Sequence, residues 1–342
     1  MVTTKSTSQF GEAALQRRLA LTRTSGGPAA LVQNVRVFLI ASFACIGGLL
    51  YGYNQGVFSG VLTMTSFDAH MGVYTSDQTK KGWLTSILEL GAWTGTLYSG
   101  FLAELISRKY AIIVNTGIFI LGVIIQCTAT TSAGHNSILG GRFVVGMGVG
   151  SLSMIVPMYV AECAPPELRG LLVGLQQLAI EFGILVSFWI DYGCNYIGGT
   201  GKSQSDAAWL VPLALQLAPA LILIVGMIFM PFTPRWLIHH GREEDARKTL
   251  AKLRGIDIND EIIELEFLEI KAQSIFEKRT VEHNFPHLAE LTPGNIVKLQ
   301  FVAIGSLFKT MPMFRRVIVS TVTMSVCSPP TVAANKPFWI YV

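Results

Sequence analysis

Residues 140–192 constrain this chain more than any other stretch. Two apolar runs, each near the ~20 residues that a helix needs to cross hydrocarbon, flank Glu162-Cys163-Ala164-Pro165-Pro166-Glu167-Leu168-Arg169. Charge and paired prolines force a turn there, so the stretch reads as a membrane hairpin. It also holds groups that lipid penalises: Arg142, Glu181 and the adjacent Gln176 and Gln177. A polar group in hydrocarbon is costly unless it finds a partner or water, so these side chains are expected to face protein or a cavity. They mark the candidate site.

Composition agrees with a membrane chain. Of 342 residues, 51% are hydrophobic and 14% charged, against roughly 25% charged in soluble domains. The net charge of +4 is spread over the tail, turns and one polar segment, which argues against nucleic-acid binding. The five cysteines have no CxxC spacing, so neither a disulfide framework nor a zinc site follows. Residues 1–34 are polar and cationic and do not form a cleavable signal peptide.

Candidate spans lie at about 36–62, 83–104, 110–130, 138–161, 169–193 and 209–230. Arg108, Lys109, Arg169 and the tail cations fall on one side, with Lys80, Lys81 and Lys202 on the other. The positive-inside rule therefore expects both ends of the six-span block in the cytoplasm. Gly48, Gly52, Gly56 and Gly60 make a smooth helix stripe, for which Gly146 and Gly150 offer a matching surface. Tyr51, Asn54, Gln55 and Phe58 are expected on another face, together. The third and sixth spans read as bland, the third lipid-facing and the sixth bent at Pro212 and Pro219. From Phe232 the chain turns polar, and 241–253 and 261–276 read as amphipathic surface helices. Arg315-Arg316-Val317 looks like the start of a seventh span that Ser328-Pro329-Pro330 cuts short.

These residues resemble the sugar porter family of the major facilitator superfamily, and its fungal monosaccharide members in particular. GGLLYGYNQGVFSG is similar to the first-span motif. Residues 100–109 are similar to G-x-x-x-D-x-x-G-R-[RK], with Glu104 for Asp and Ser107 for Gly. Arg142 with its glycines, VPMYVAECAPPELRG, and PFTPRWL for PESPRWL complete the likeness, with Phe232 and Thr233 in place of Glu-Ser. The resemblance implies an all-α membrane protein built as the six-helix N-terminal half of a major facilitator fold. A cytoplasmic helical domain and an incomplete seventh span would follow it. The expected divisions are a tail at 1–34, the bundle at 35–231, the helical domain at 232–313 and the atypical end at 314–342. The expected setting is multi-pass, in the plasma membrane, with the N-terminus cytoplasmic and the chain truncated.

The resemblance also assigns roles, each beside a plainer one. Gln177 aligns with a fifth-span sugar-binding amide and Tyr51 with a first-span aromatic; Gln176, Asn54 and Gln55 complete the sugar-binding set. Amides suit a site that must also release its ligand, because they pair with hydroxyls as donor and acceptor without a charge to desolvate. Helix–helix bonding is the alternative. Asn54 stands where proton-coupled members carry an ionisable Asp beside the fourth-span Arg. Arg142 is expected within reach of Glu89 or Glu181, and Glu181 is the candidate proton carrier. Glu104, Arg108, Glu162, Arg169 and Arg235 resemble a cytoplasmic gating network. Gly201-Lys202-Ser203 lacks the first glycine of a phosphate loop, and His239-His240 lacks metal-ligand spacing, so no cofactor or metal is expected. The expected function is alternating-access transport of a hexose or pentose, with protons as a possible second substrate and lipid as the surroundings. A transporter-like sugar sensor and an inactive fragment are the alternatives; no motif supports an enzyme.

Overall fold

Each long apolar run becomes a helix, because only internal backbone hydrogen bonding satisfies N–H and C=O groups away from water. The structure, a computed structural model, describes residues 35–130, 134–199, 201–285 and 311–327, with helical positions 294, 298, 302 and 305. The expected tail at 1–34, most of 286–310 and the atypical end at 328–342 lie outside the described residues. Six helices form the membrane block: α1 (Val35–Val61), α2 (Gln78–Leu105), α3 (Arg108–Cys127), α4 (Gly134–Cys163), α5 (Arg169–Cys194) and α6 (Ala207–Phe229). Three more follow: α7 (Pro234–His239), α8 (Glu243–Arg254) and α9 (Glu261–Asn284). The chain divides into two compact units, Met1–Phe276 and Glu277–Val342. In the second, α10 covers Met311–Cys327. No strand occurs among the described residues.

Five of the six bundle helices are long and apolar enough to cross a membrane by length and composition alone. The other, α2, has 28 residues, about 42 Å at helical rise, but Lys80, Lys81, Glu89 and Glu104 dilute its apolarity. It begins earlier than the expected span because Asp77 caps it, accepting from the Thr79 N–H at 3.0 Å.

The glycine stripes pair differently from the sequence expectation. Gly48, Gly52, Gly56 and Gly60 of α1 lie against Gln176, Ile180, Ser187 and Asp191 of α5, while Gly146 and Gly150 of α4 lie against Leu88 and Ala92 of α2. A Cβ at Gly52 would strike the Ile180 carbonyl oxygen, and one at Gly150 the Ala92 carbonyl oxygen. Both pairs run parallel in register, and exchanging α1–α3 with α4–α6 converts one into the other. Spacing shows that a stripe exists; it does not show which helix fills it.

The third span is also corrected. Tyr110, Val114, Leu121 and Ile124 are exposed, but Asn115, Thr116, Phe119 and Gln126 are buried on the other face, where Gly148 of α4 approaches Phe119 and the Asn115 carbonyl. The Tyr98 hydroxyl donates to Asn115 Oδ1 at 2.7 Å. The helix is therefore a packing element with one lipid-type side. The bend expected in α6 falls at Gln216, between Pro212 and Pro219. There the Tyr53 hydroxyl donates to the Pro212 carbonyl at 3.0 Å.

One backbone position is strained. Ser107, the cap of α3, has φ 105° and ψ 154°, a region essentially reserved for glycine. This explains why the motif it resembles has Gly there.

After α6, the amphipathic helices form as expected at slightly shifted bounds, and Leu237, Ala246, Leu250, Ile263 and Phe267 make their own small core. Acidic Glu243, Glu244 and Asp245 open α8, Lys252 and Arg254 close it, and Gly255 ends it at φ 71°. Arg254 ties this layer to the bundle: its Nε donates to Glu266 Oε2 at 2.9 Å and its Nη1 to the Cys163 carbonyl at 3.2 Å.

Candidate functional site

The polar groups inside the apolar helices separate into two sets, one turned into the bundle and one left on an open face. Asn54 belongs to the first set: it is 1% exposed, and its Nδ2 donates to Gln216 Oε1 at 2.6 Å. Phe58 is buried as well. The expected cluster of Tyr51, Asn54, Gln55 and Phe58 is thus divided. These four residues span an arc of about 100° on the helix, wide enough to straddle the boundary between the packed and open faces. Gln176 is 4% exposed, behind Gly48, and its Oε1 has no hydrogen-bond partner in the structure.

Arg142 is buried too, with its Nε donating to the Leu84 carbonyl at 2.9 Å and its guanidinium 3.5 Å from the centre of the Phe58 ring. Among the described residues no carboxylate comes within ion-pair distance of it, so the expected direct pairing with Glu89 or Glu181 is not formed. A main-chain dipole and an aromatic face replace it. Length alone made either acid reachable, but packing of α2 against α4 brings a carbonyl nearer.

On the open face, Gln55 Nε2 donates to the Tyr51 hydroxyl at 3.0 Å and has a longer contact, 3.5 Å, to Glu89 Oε1. One helix away, Gln177 Nε2 donates to Glu181 Oε1 at 2.9 Å. Gln55, Glu89, Gln177 and Glu181 are all exposed, and Tyr51 is half-buried. Neither acid is enclosed, so the expectation of one carboxylate buried without a cation does not hold for this pair. The in-register contact of α1 with α5 puts Gln177 and Glu181 near the level of residues 49–53. The face therefore presents amide, phenol and carboxylate groups with free lone pairs, a set able to bond several hydroxyls of one ligand.

At the end of the bundle near α7, Arg108 meets Glu162 through Nε and Nη2, both at 3.1 Å from Oε1. The Glu104 carbonyl accepts from the Trp236 indole at 3.2 Å, Arg235 is half-buried and Arg169 is exposed. Of the expected charge set, Arg108 and Glu162 form an ion pair.

Sequence reading missed Gln216 and Asp191. Asp191 is 4% exposed, lies against Gly60, and neither carboxylate oxygen has a hydrogen-bond partner. The signal that singled out Gln177, a polar residue in an apolar run, was present at both positions.

Comparisons with known proteins agree with this architecture. The family profile described as "Sugar (and other) transporter" matches residues 40–327. The chain is 36% identical over 255 residues to the MFS glucose transporter mfs1 of Aspergillus flavus, covering 74% of this chain and 47% of that protein. It is 34% identical to the quinate permease of Neurospora africana, covering 81% and 52%. The chain spans about half the length of the curated relatives it matches. Among solved structures, the partially occluded inward-open xylose transporter XylE from E. coli superposes with TM-score 0.63 at 25% identity, covering 74% of this chain and 62% of that one.

Proposed function

This chain belongs to the sugar (and other) transporter family of the major facilitator superfamily, and from that premise we propose that it supplies the N-terminal half of a monosaccharide carrier working by alternating access. The observation that carries this reading is the open face: Tyr51, Gln55, Glu89, Gln177 and Glu181 stand in mid-helix and are not buried in the bundle. Such groups would be costly against acyl chains. They suit a wet cleft shared with a second half, where discontinuous or polar helix segments meet a substrate at mid-membrane.

In this reading Gln177 bonds a sugar hydroxyl, with Tyr51 and Gln55 opposite it. Gln176 and Asn54 hold helices together and shape the site from behind. Asn54 cannot ionise, and its amide is engaged by Gln216; in this reading proton coupling falls to Glu181, which accepts from Gln177. Glu104, Arg108, Glu162, Arg169 and Arg235 form the inner charged rim that fastens the closed gate. The abundance of Arg and Lys at that end supports a cytoplasmic position for it and for the N-terminus, and in this reading the protein sits in the plasma membrane. The helices α7–α9 act as a cytoplasmic domain.

The test is uptake of labelled glucose, xylose and quinate in cells without their own hexose carriers, for the chain alone and with a six-helix second half supplied in trans. Uptake of a sugar that requires both halves and falls with Gln177→Ala supports the reading. If neither combination carries or binds any sugar, the reading is wrong. Measured between about pH 5 and 8, Glu181→Gln should flatten the pH profile; identical profiles remove Glu181 from coupling.

A further inference from the structure

Where the chain leaves α6 for α8, cations outnumber the acids beside them. A cavity of about 290 Å³ is lined by Phe232, Arg242, Asp245, Lys248 and Lys252, among others. That is the lower end of ligand-pocket sizes, enough for a headgroup. Arg242 pairs with Asp245 at 2.8 Å, and Lys248 stands 3.9 Å from an exposed Glu244. Lys252 is exposed, and Lys109 of α3 is close enough to feel its charge. Neither lysine has a carboxylate partner among the described residues.

Lys109 donates to the Ile228 carbonyl at 2.8 Å, which fixes it at the very end of α6. Its ammonium lies 5.1 Å from the centre of the Phe232 ring, and Arg242 lies 5.8 Å from the same ring. Phe232 therefore has cations on two sides where the motif PESPRWL has a Glu. Tyr110 and Trp236 also pack on Phe232, with ring centres 5.5 and 5.7 Å away, as aromatic side chains do at a bilayer boundary. With Phe232 in place of that glutamate, Asp245, already paired with Arg242, is the acid that lines the cavity.

We propose that this cavity binds a phosphate-bearing anion, as the headgroup of an acidic lipid or as a free phosphate ester. Basic pockets beside the cytoplasmic ends of membrane helices hold such groups by Coulomb attraction and charge-assisted hydrogen bonds. The arrangement here provides both: the remaining N–H donors of Lys109 and those of Lys252, with the Phe232 ring beside Lys109.

The experiment uses the 342-residue chain in phosphatidylcholine nanodiscs, with and without phosphatidylinositol phosphate. Retained lipid is read by native mass spectrometry, and inositol monophosphate and inorganic phosphate serve as soluble competitors. Binding of the phosphoinositide with no effect of the competitors identifies the lipid source; displacement by the competitors identifies the soluble one. Lys109→Gln with Lys252→Gln should weaken binding roughly thirtyfold, at about fivefold for each lysine. Phe232→Glu, which restores an internal anion, should weaken it comparably. Lys252→Gln alone changes an exposed side chain and stays interpretable if the double variant loses helicity. The proposal fails if phosphoinositide, inositol monophosphate and inorganic phosphate all bind no better than phosphatidylcholine, or if binding is unchanged in these variants with helicity intact.

Discussion

The two glycine-mediated pairs, α1 with α5 and α4 with α2, use the same contact for different ends. In α4, 61% of the most apolar window is buried, and its one cation, Arg142, is enclosed by Leu84 and Phe58. In α5 the corresponding share is 22%, and Gln177 and Glu181 remain on the outside. In the proposed reading α4 is scaffold and α5 a wall of the cleft. Close backbone approach through glycine is therefore not a mark of function. What distinguishes α4 from α5 is that Arg142 is consumed by the bundle, whereas Gln177 and Glu181 are left over.

The comparison is broken most directly at the contacts themselves. Gly52→Leu in α1 and Gly150→Leu in α4 each force a side chain into a facing carbonyl, and each should cost more than about 3 kcal/mol. Gly82→Leu, which meets nothing within 4 Å, should cost well under that. Detergent titration of helicity measures all three; a tolerated Gly150→Leu would mean that α2 and α4 do not pack as closely as α1 and α5.

Function should separate from stability at the next level. Arg142→Met removes a desolvated charge that has no carboxylate partner among the described residues, so unfolding should shift by no more than about 1 kcal/mol. Gln177→Ala, on the open face, should leave the unfolding midpoint in place and raise the apparent KM about tenfold, the value of one lost hydrogen bond of about 1.4 kcal/mol. A Gln177→Ala variant that unfolds early would show that this amide is structural, like Gln176.

The smallest expected effect lies outside both pairs. Ser107→Gly should stabilise the chain by about 1 kcal/mol, since relieving a glycine-type backbone exceeds the few tenths lost by weakening the cap. Thermal unfolding measures it, and a destabilised variant would make the Ser107 hydroxyl the more important feature.

Much of this fold was legible because lipid allows few alternatives. Apolar length marked the helices, proline marked the bend of α6, and charge periodicity marked α8 and α9. Partner choice was not legible. A glycine stripe has the same spacing whichever helix it meets, and the wheel position of Asn54 lies at the edge of the face occupied by Gln55. Arg142 illustrates the same point at the site: sequence reveals a buried cation but not that a backbone carbonyl is its nearest acceptor. Gln216 passed unnoticed because the sixth span read as bland, and Asp191 because it lies at the far end of the fifth, although both interrupt apolar runs as plainly as Gln177 does.

Arg254 has a mechanical consequence. With its own side chain 8% exposed and that of Glu266 7%, it grips the final carbonyl of α4 from the neighbouring surface layer. Any swing of α4 must carry α8 and α9 with it, as a keel follows its hull, or else open a nearly dry pair of charges. Probes attached to the outer side of α8 would then register the position of a gate they never touch.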